Sequence, residues 1–423
     1  MLRLASGTLA TLLISPMAVP SAAALERDDL AVDFVLGWKS EYERDFDLDA
    51  DDPEDMNAHE MTLRADVDYR PTEWLRAYLE IEAGVTFEDT EGEEEDVAEK
   101  LQVNQAYLSF SDLPSEDSEL VFGRFLYRDW REWLIDENLD GARFVHEPGD
   151  LVIDVSVSRA SLVRRDLLDE DTTGDQINNF VAIAEYELSE DLWLLGYGIY
   201  RDDRSDEGEE GRPFYFGLRS HGPLTDGLTH WLDLAAVRGT DGEEPLSGHA
   251  ATGGLTYTFE DAPAAPRVTL GYAWASGDDD PDDGRNRNFR QTGMQSNEGR
   301  FGESAKFRYY GETFDPELSN MSILTAAIGA SPAEGLSVDL VYNRYWQVEA
   351  ADFLRDAAID ADPNGTSTDL GQEIDLVVGY EPNDTWETKF ILGYFKPGDA
   401  FRSSSGDSAD DAVYAQFEID FRF

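Results

Sequence analysis

Residues 413–423 read VYAQFEIDFRF. Val413, Ala415, Phe417, Ile419, Phe421 and Phe423 fall on one face of an extended strand, and Tyr414, Gln416, Glu418, Asp420 and Arg422 fall on the other. Side chains alternate sides along a strand, so the segment predicts a ribbon with a greasy aromatic surface on one side and a wet, charged surface on the other. The same period of two runs through much of the chain. In HEMTLRADVDYR (59–70), Met61, Leu63, Ala65, Val67 and Tyr69 oppose Thr62, Arg64, Asp66 and Asp68. In WLRAYLEIEAGVTF (74–87), Leu75, Ala77, Leu79, Ile81, Ala83, Val85 and Phe87 oppose Arg76, Tyr78, Glu80, Glu82 and Thr86. FVAIAEYEL (180–188) repeats the pattern, with Glu185 and Glu187 on its polar face.

Eighteen such segments are predicted, near 30–44, 59–70, 73–88, 99–110, 119–127, 140–147, 150–160, 177–189, 191–202, 212–220, 227–238, 248–259, 266–275, 320–330, 335–348, 369–381, 385–396 and 411–423. Their connections alternate in character. Short ones, such as RPTE at 70–73, EPGD at 147–150 and PNDT at 382–385, alternate with long acidic ones at 45–55, 88–99 and 276–319. A soluble secreted all-β protein would also show alternating strands. An even strand count, with short turns at one end and long loops at the other, instead points to a transmembrane antiparallel β-barrel. Long acidic loops are then extracellular, short turns periplasmic, and outer-membrane lipid surrounds the wall. Closure is required because an unpaired strand edge in hydrocarbon leaves bare amides and carbonyls, each costing several kcal/mol. In 99–110 the apolar parity slips after Val103, which predicts a bulge. Asn138 to Gly141 reads as a turn, with Arg143 on the returning strand.

Composition narrows the function. The 423 residues carry 33 basic and 90 acidic side chains, a formal charge of −57, which disfavours nucleic acid as a partner. Only five of the basic residues are lysine; this acidic, lysine-poor balance predicts a salty habitat, where ionic strength screens carboxylate repulsion, and an outer-membrane barrel predicts a Gram-negative bacterium. Cysteine is absent, so neither disulfides nor thiolate-ligated metals occur. Residues 1–24, with Arg3, an apolar run and Ala22, Ala23 and Ala24, read as a cleaved secretory signal peptide rather than a membrane anchor. A single barrel domain is expected over 25–423.

Lumen-facing basic candidates are Arg64, Arg76, Arg124, Arg128, Arg143, Arg219 and Arg344, and acidic ones include Glu80, Glu82, Glu185, Glu373 and Asp375. Arginines inside a pore can bind carboxylates through their donor forks or brace the wall as ion pairs; spacing alone leaves both open. The loop 276–319 begins with dense carboxylates, a solvated acidic stretch or a calcium site. It continues with basic and aromatic residues, among them Lys306 and Arg308, and is long enough to fold inward. The five histidines, His59, His146, His221, His230 and His249, form no ligand pair, and no nucleophile motif occurs. The expectation is a channel with no cofactor and no metal, not an enzyme.

FRQTGMQSN (289–297), YGETFDPELSN (310–320), LVYNRYWQV (340–348), LGQEIDLVVGY (370–380) and FKPGDAF (395–401) resemble the alginate export family of outer-membrane barrels. FGRFLYRD (122–129), followed by DENLDGARF (136–144), is similar to that family's FGRQ-x-x-RED region, with Phe125 and Leu126 departing from it. The resemblance implies an 18-stranded monomeric channel that passes an anionic polysaccharide or oligouronates, with periplasmic export-complex proteins as partners. It implies conducting roles for Arg124 and Arg128 and places Lys306 and Arg308 in the family's basic stretch. The terminal Phe423 strand looks like the signal read by barrel-assembly machinery. A diffusion porin for small solutes or cations, and an adhesive barrel with a blocked pore, are the alternatives.

Overall fold

The computed structural model describes residues 29–49, 55–90, 92, 95–160, 162–168, 176–204, 211–242, 244–301, 305–403 and 408–423. The signal peptide expected over 1–24 lies outside the described residues. Along the chain run β1 (Leu30–Arg44), β2 (Asp55–Thr72), β3 (Leu75–Thr90), β4 (Asp96–Ser111), β5 (Ser118–Arg128), β6 (Asp136–His146) and β7 (Leu151–Arg159). Then come β8 (Ile177–Ser189), β9 (Leu192–Asp203), β10 (Phe214–Thr225), β11 (Leu228–Asp241), β12 (Glu244–Thr258) and β13 (Arg267–Ala275). A two-stranded ribbon, β14 (Glu298–Gly299) with β15 (Phe307–Arg308), stands apart from the main sheet. The last five strands are β16 (Met321–Ala333), β17 (Leu336–Gln347), β18 (Asp369–Asn383), β19 (Trp386–Pro397) and β20 (Ala412–Arg422).

Apart from the ribbon, each strand pairs antiparallel with its sequence neighbours, and β20 pairs with β1, so eighteen strands close on themselves. The seam is completed past the last strand residue: Phe34 and Phe423 exchange both backbone hydrogen bonds, at 2.9 and 3.0 Å, and their rings stack at 5.9 Å. The alternation dictates the two surfaces. Trp38 on β1, Met61 and Leu63 on β2, Leu270 on β13, Ile328 on β16 and Phe417 on β20 are exposed and point outward. Exposed large apolar side chains recur around the wall, a belt that only lipid can cover. The 18 residues of β2 span roughly 60 Å at ~3.3 Å per residue, far beyond the ~25 Å apolar band, so the loop-proximal ends can carry charge.

The bulge expected near Val103 is present: Glu80 pairs Gln105 and Ile81 pairs Val103, leaving Asn104 over. The turn expected at 138–141 is not. Those residues belong to β6, paired to β5 from Arg128 opposite Asp136 to Ser118 opposite His146. The reversal lies earlier, at 129–135, because Trp133, Leu134 and Ile135 are pulled into a buried cluster. The wall is therefore low at β5–β6. Beside it, residues of the β7–β8 connection run along the free edge of β4: the Val103 amide donates to the Arg165 carbonyl at 2.9 Å, and the Leu167 amide to the Leu101 carbonyl at 2.8 Å. This segment occupies the place a longer β5 would take.

Candidate functional site: the plugged lumen

Two segments fold into the barrel. The first is 129–135. Asp129 Oδ1 accepts from the amides of Leu134 and Ile135 at 2.9 and 2.7 Å, which curls the chain, and Arg219 on β10 pairs with Asp129 and with Asp233 on β11. Tyr197 donates to the same Asp233 at 2.9 Å. The side chains of Arg219, Asp129 and Asp233 are all buried, so their mutual pairing is what makes the site tolerable.

The second comprises 289–301 and 305–319, the described residues of the later half of the 276–319 loop. Its residues Phe289, Gln291, Tyr310, Glu312, Phe314 and Leu318 are buried. Glu373 on β18 receives its tip: the Thr313 amide donates at 2.6 Å, the Phe314 amide at 3.1 Å and the Tyr345 hydroxyl at 2.9 Å. Phe314 stacks on Phe395 at 4.9 Å and meets Tyr345 edge-on at 4.8 Å. Gly311 has φ +117°, and a Cβ there would lie 2.3 Å from the Tyr345 hydroxyl and 2.5 Å from Glu373 Oε2; only glycine permits this approach. Gln291 links the two segments, donating to the Trp133 carbonyl at 2.5 Å and accepting from the Leu318 amide at 2.8 Å. Burial pushes the carboxyl of Glu312 up to about 8 and that of Glu317 to about 7, opposed by Arg308 and Arg355 respectively.

Cavities lie on either side of this plug. Toward the long-loop end, about 430 Å³ is lined by Arg201, Arg290 and Arg355 with Asp241 and Glu317. Toward the short-turn end, about 960 Å³ reaches the connections at Asp191, Pro223, Ala265 and Ser331. The cations of this vestibule, Arg128, Arg131, Arg267, Arg300 and Lys306, outnumber its carboxylates, Glu132, Asp191 and Glu298. Trp130 stacks on His221 at 4.0 Å and 7°. Arg131 lies between two rings, 4.3 Å from Trp231 and 4.0 Å from Tyr309. The Trp231 ring lies across Gly254, where a Cβ would come within 2.2 Å of it.

The sequence candidates divide. Arg64, Arg76 and Arg143 face inward, paired with Asp66 at 3.4 Å, Asp68 at 3.1 Å and Asp154 at 2.7 Å. Arg128 ends β5 at the vestibule, 2.6 Å from Asp136 and 2.9 Å from Glu132. Lys306 bridges Glu132 and Glu298 at 2.5 and 2.8 Å, and Arg308 is 3.3 Å from Asp315. Glu80 accepts from Gln105 at 2.8 Å, Glu82 pairs with Lys100 at 2.8 Å, and Glu185 lines the inner wall beside Arg143 and Arg219. Glu373 and Asp375 are fully buried against the plug.

Arg124 and Arg344 are not lumenal. Arg124 shares its side of β5 with exposed Phe122. Its Nε and Nη2 each lie 2.8 Å from Asp140, and Nη1 donates to the Val103 carbonyl at 2.9 Å. A further bond to the Val163 carbonyl secures the β7–β8 segment to the low wall. Arg344 shares its side of β17 with exposed Leu340, lies 2.7 Å from Asp369 and sits over the Trp346 ring. Parity within each strand puts both outward, and their assignment to the lumen from charge alone does not hold: an outward arginine is acceptable where a loop or the strand end supplies its partner. Sequence reasoning missed Arg131 and Trp130, whose lumenal position depends on the inward reversal, and no local signal marks that. In the acidic start of 276–319, Asp278 and Asp283 pair with Arg287, and among the described residues no group of three or more carboxylates or histidines is placed to hold a metal.

The alginate export family model matches residues 29–415. The chain is 31% identical over 170 residues to the alginate production protein AlgE of Pseudomonas aeruginosa, covering 37% of this chain and 33% of that protein. It is 32% identical over 133 residues to AlgE of Azotobacter vinelandii, covering 30% and 26%. It thus matches about a third or less of the length of these relatives. In fold, it is similar to Pseudomonas aeruginosa OpdK with vanillate, at TM-score 0.57 and 13% identity, covering 93% of this chain and 98% of the other. It is likewise similar to OccK7 (OpdD), at TM-score 0.57, 14% identity and coverage of 93% and 99%.

Proposed function

This chain belongs to the alginate export family, barrels of the Gram-negative outer membrane, and from that premise we propose that it is a non-catalytic channel for an acidic, uronate-type polysaccharide. The observation that carries the reading is the vestibule at the short-turn end. In a chain of formal charge −57, its lining gathers five cations against three carboxylates; Asp136 and Asp339 behind the lining pair with Arg128 and Arg267, and Arg131 has no carboxylate partner among the described residues. Acidic loops set the sign outside; the guanidinium groups set it inside, at a distance where salt screens the loops. Arg128, Arg143, Lys306 and Arg308 present charge to the conduit, with Arg64 and Arg76 along the wall. Their carboxylate partners keep them fixed, and a passing uronate exchanges with those partners one residue at a time.

The wider reading is of a signal-directed, monomeric barrel, residues 25–423, in a salt-adapted bacterium. It is inserted by assembly machinery that reads the Phe423 strand, and supplied by periplasmic export proteins at the short-turn end. The test is the reversal potential of the purified channel across a salt gradient, with and without oligouronates. Anion preference that oligouronates block is expected. Arg143→Gln and Lys306→Gln are expected to reduce it, whereas Arg124→Gln and Arg344→Gln, on the outer side, leave it unchanged. Cation preference without block overturns the reading in favour of a small-solute porin.

A further inference from the structure

We infer that the vestibule holds a pyranose-stacking subsite, with Trp130 as its platform and Arg131 as its charge. This rests on the reading of the channel as a uronate conduit. Trp130 is 50% exposed although it sits on an inward-folded segment lining the cavity. A tryptophan in a wet lumen loses hydrophobic stabilisation unless its face is covered. One face is covered by His221, whose ring is parallel to within 7°. The two stacked rings make a rigid flat surface, and the other face of the indole is available to the cavity.

The charge beside it is unusual for this barrel. Among the described residues Arg131 forms no ion pair, being held instead between Trp231 and Tyr309, and its buried Nη1 has no hydrogen-bond partner. Neighbouring Arg128 and Lys306 are both neutralised by carboxylates. Arg131 is thus the vestibule cation whose charge the described carboxylates leave uncompensated at close range, clamped by two rings in a fixed plane. A flat apolar platform next to a fixed cation matches a uronate residue. Such a residue presents C–H groups on one pyranose face and a carboxylate at its edge. The volume of about 960 Å³ lies near the top of the ~300–1,000 Å³ typical of small-ligand pockets, enough for a short run of sugar residues. Recognition here requires both ring and charge, so a polyanion without pyranose rings gains little from Trp130.

The test uses the full barrel in planar bilayers, with a defined oligogalacturonate and a poly-glutamate of equal charge added at the short-turn side. Trp130→Ala is expected to shorten the oligogalacturonate block about tenfold and leave the poly-glutamate block unchanged, while Trp130→Phe keeps part of the effect. Mobility on unheated gels confirms that each variant forms the barrel, and Trp130→Leu serves as an apolar variant should alanine fail to fold. Equal oligogalacturonate block in Trp130→Ala and the parent overturns the subsite and leaves the conduit standing. Equal losses for both polymers also overturn it, since charge alone then explains binding. A parent channel that oligogalacturonate does not block overturns the conduit reading and the subsite together.

Discussion

Replacing Glu373 with alanine is expected to release the plug tip. In the folded chain this carboxylate accepts from the Thr313 amide at 2.6 Å, the Phe314 amide at 3.1 Å and the Tyr345 hydroxyl at 2.9 Å, all buried. A hydrogen bond to a charged group contributes about 1.5–3 kcal/mol, and a stranded buried amide costs about as much. Three such bonds set an upper range of roughly 4–9 kcal/mol. Against this stands the desolvation cost of holding the fully buried Glu373 side chain away from water, which the substitution removes. A net loss of about 3 kcal/mol in docking is expected, which at ~1.4 kcal/mol per decade raises the undocked population about a hundredfold. The aromatic contacts of Phe314 remain and limit the effect. Single-channel recording reads it directly, as frequent long openings to a larger conductance. Glu373→Gln, which keeps one acceptor oxygen, falls between. A Glu373→Ala barrel with parental conductance and gating would refute the assignment of 310–314 as the part of the plug that Glu373 holds.

The docked plug is also expected to respond to pH. Glu312, at about 8 against an ordinary 4.5, and Glu317, at about 7, keep their protons when docked and give them up when the plug swings into water. Docking is then fullest below about pH 4.5, weakens as pH rises and levels off above about 8. Open probability measured from pH 5 to pH 9 should rise, and Glu312→Gln should flatten the response; a flat profile in the parent chain would count against the buried neutral acids. Arg219→Leu is expected to destabilise the inward 129–135 segment by about 3–5 kcal/mol, because Asp129 and Asp233 are left buried without their cation. The temperature at which the folded band converts to the unfolded one on gels checks it, and adding Asp233→Asn should recover part of the loss.

The period of two determined most of the wall. Strand positions, their even number, the side of the long loops and the outward run of Phe417, Ile419 and Phe421 all follow from alternation. A one-residue slip would put every charge into lipid, so the pattern has a single acceptable register. The bulge at Asn104 was visible for the same reason, as a break in parity. The family motifs were legible as well, and two of them, 289–297 and 310–320, turn out to be the plug itself. What sat in the lumen was not decided this way. Arg124 and Arg344 fall on the outward parity of β5 and β17, and a charge is tolerated there because Val163 and Asp369 supply partners that only the folded chain brings near. Arg131 and Trp130 enter the lumen because the wall stops short at Arg128 and the chain turns inward to bury Trp133, Leu134 and Ile135. Alternation is a property of neighbours along the chain and survives in the sequence. Filling a closed cylinder brings together residues far apart in the chain, such as Arg131 and Tyr309, 178 positions apart, and that juxtaposition exists only once the wall has closed.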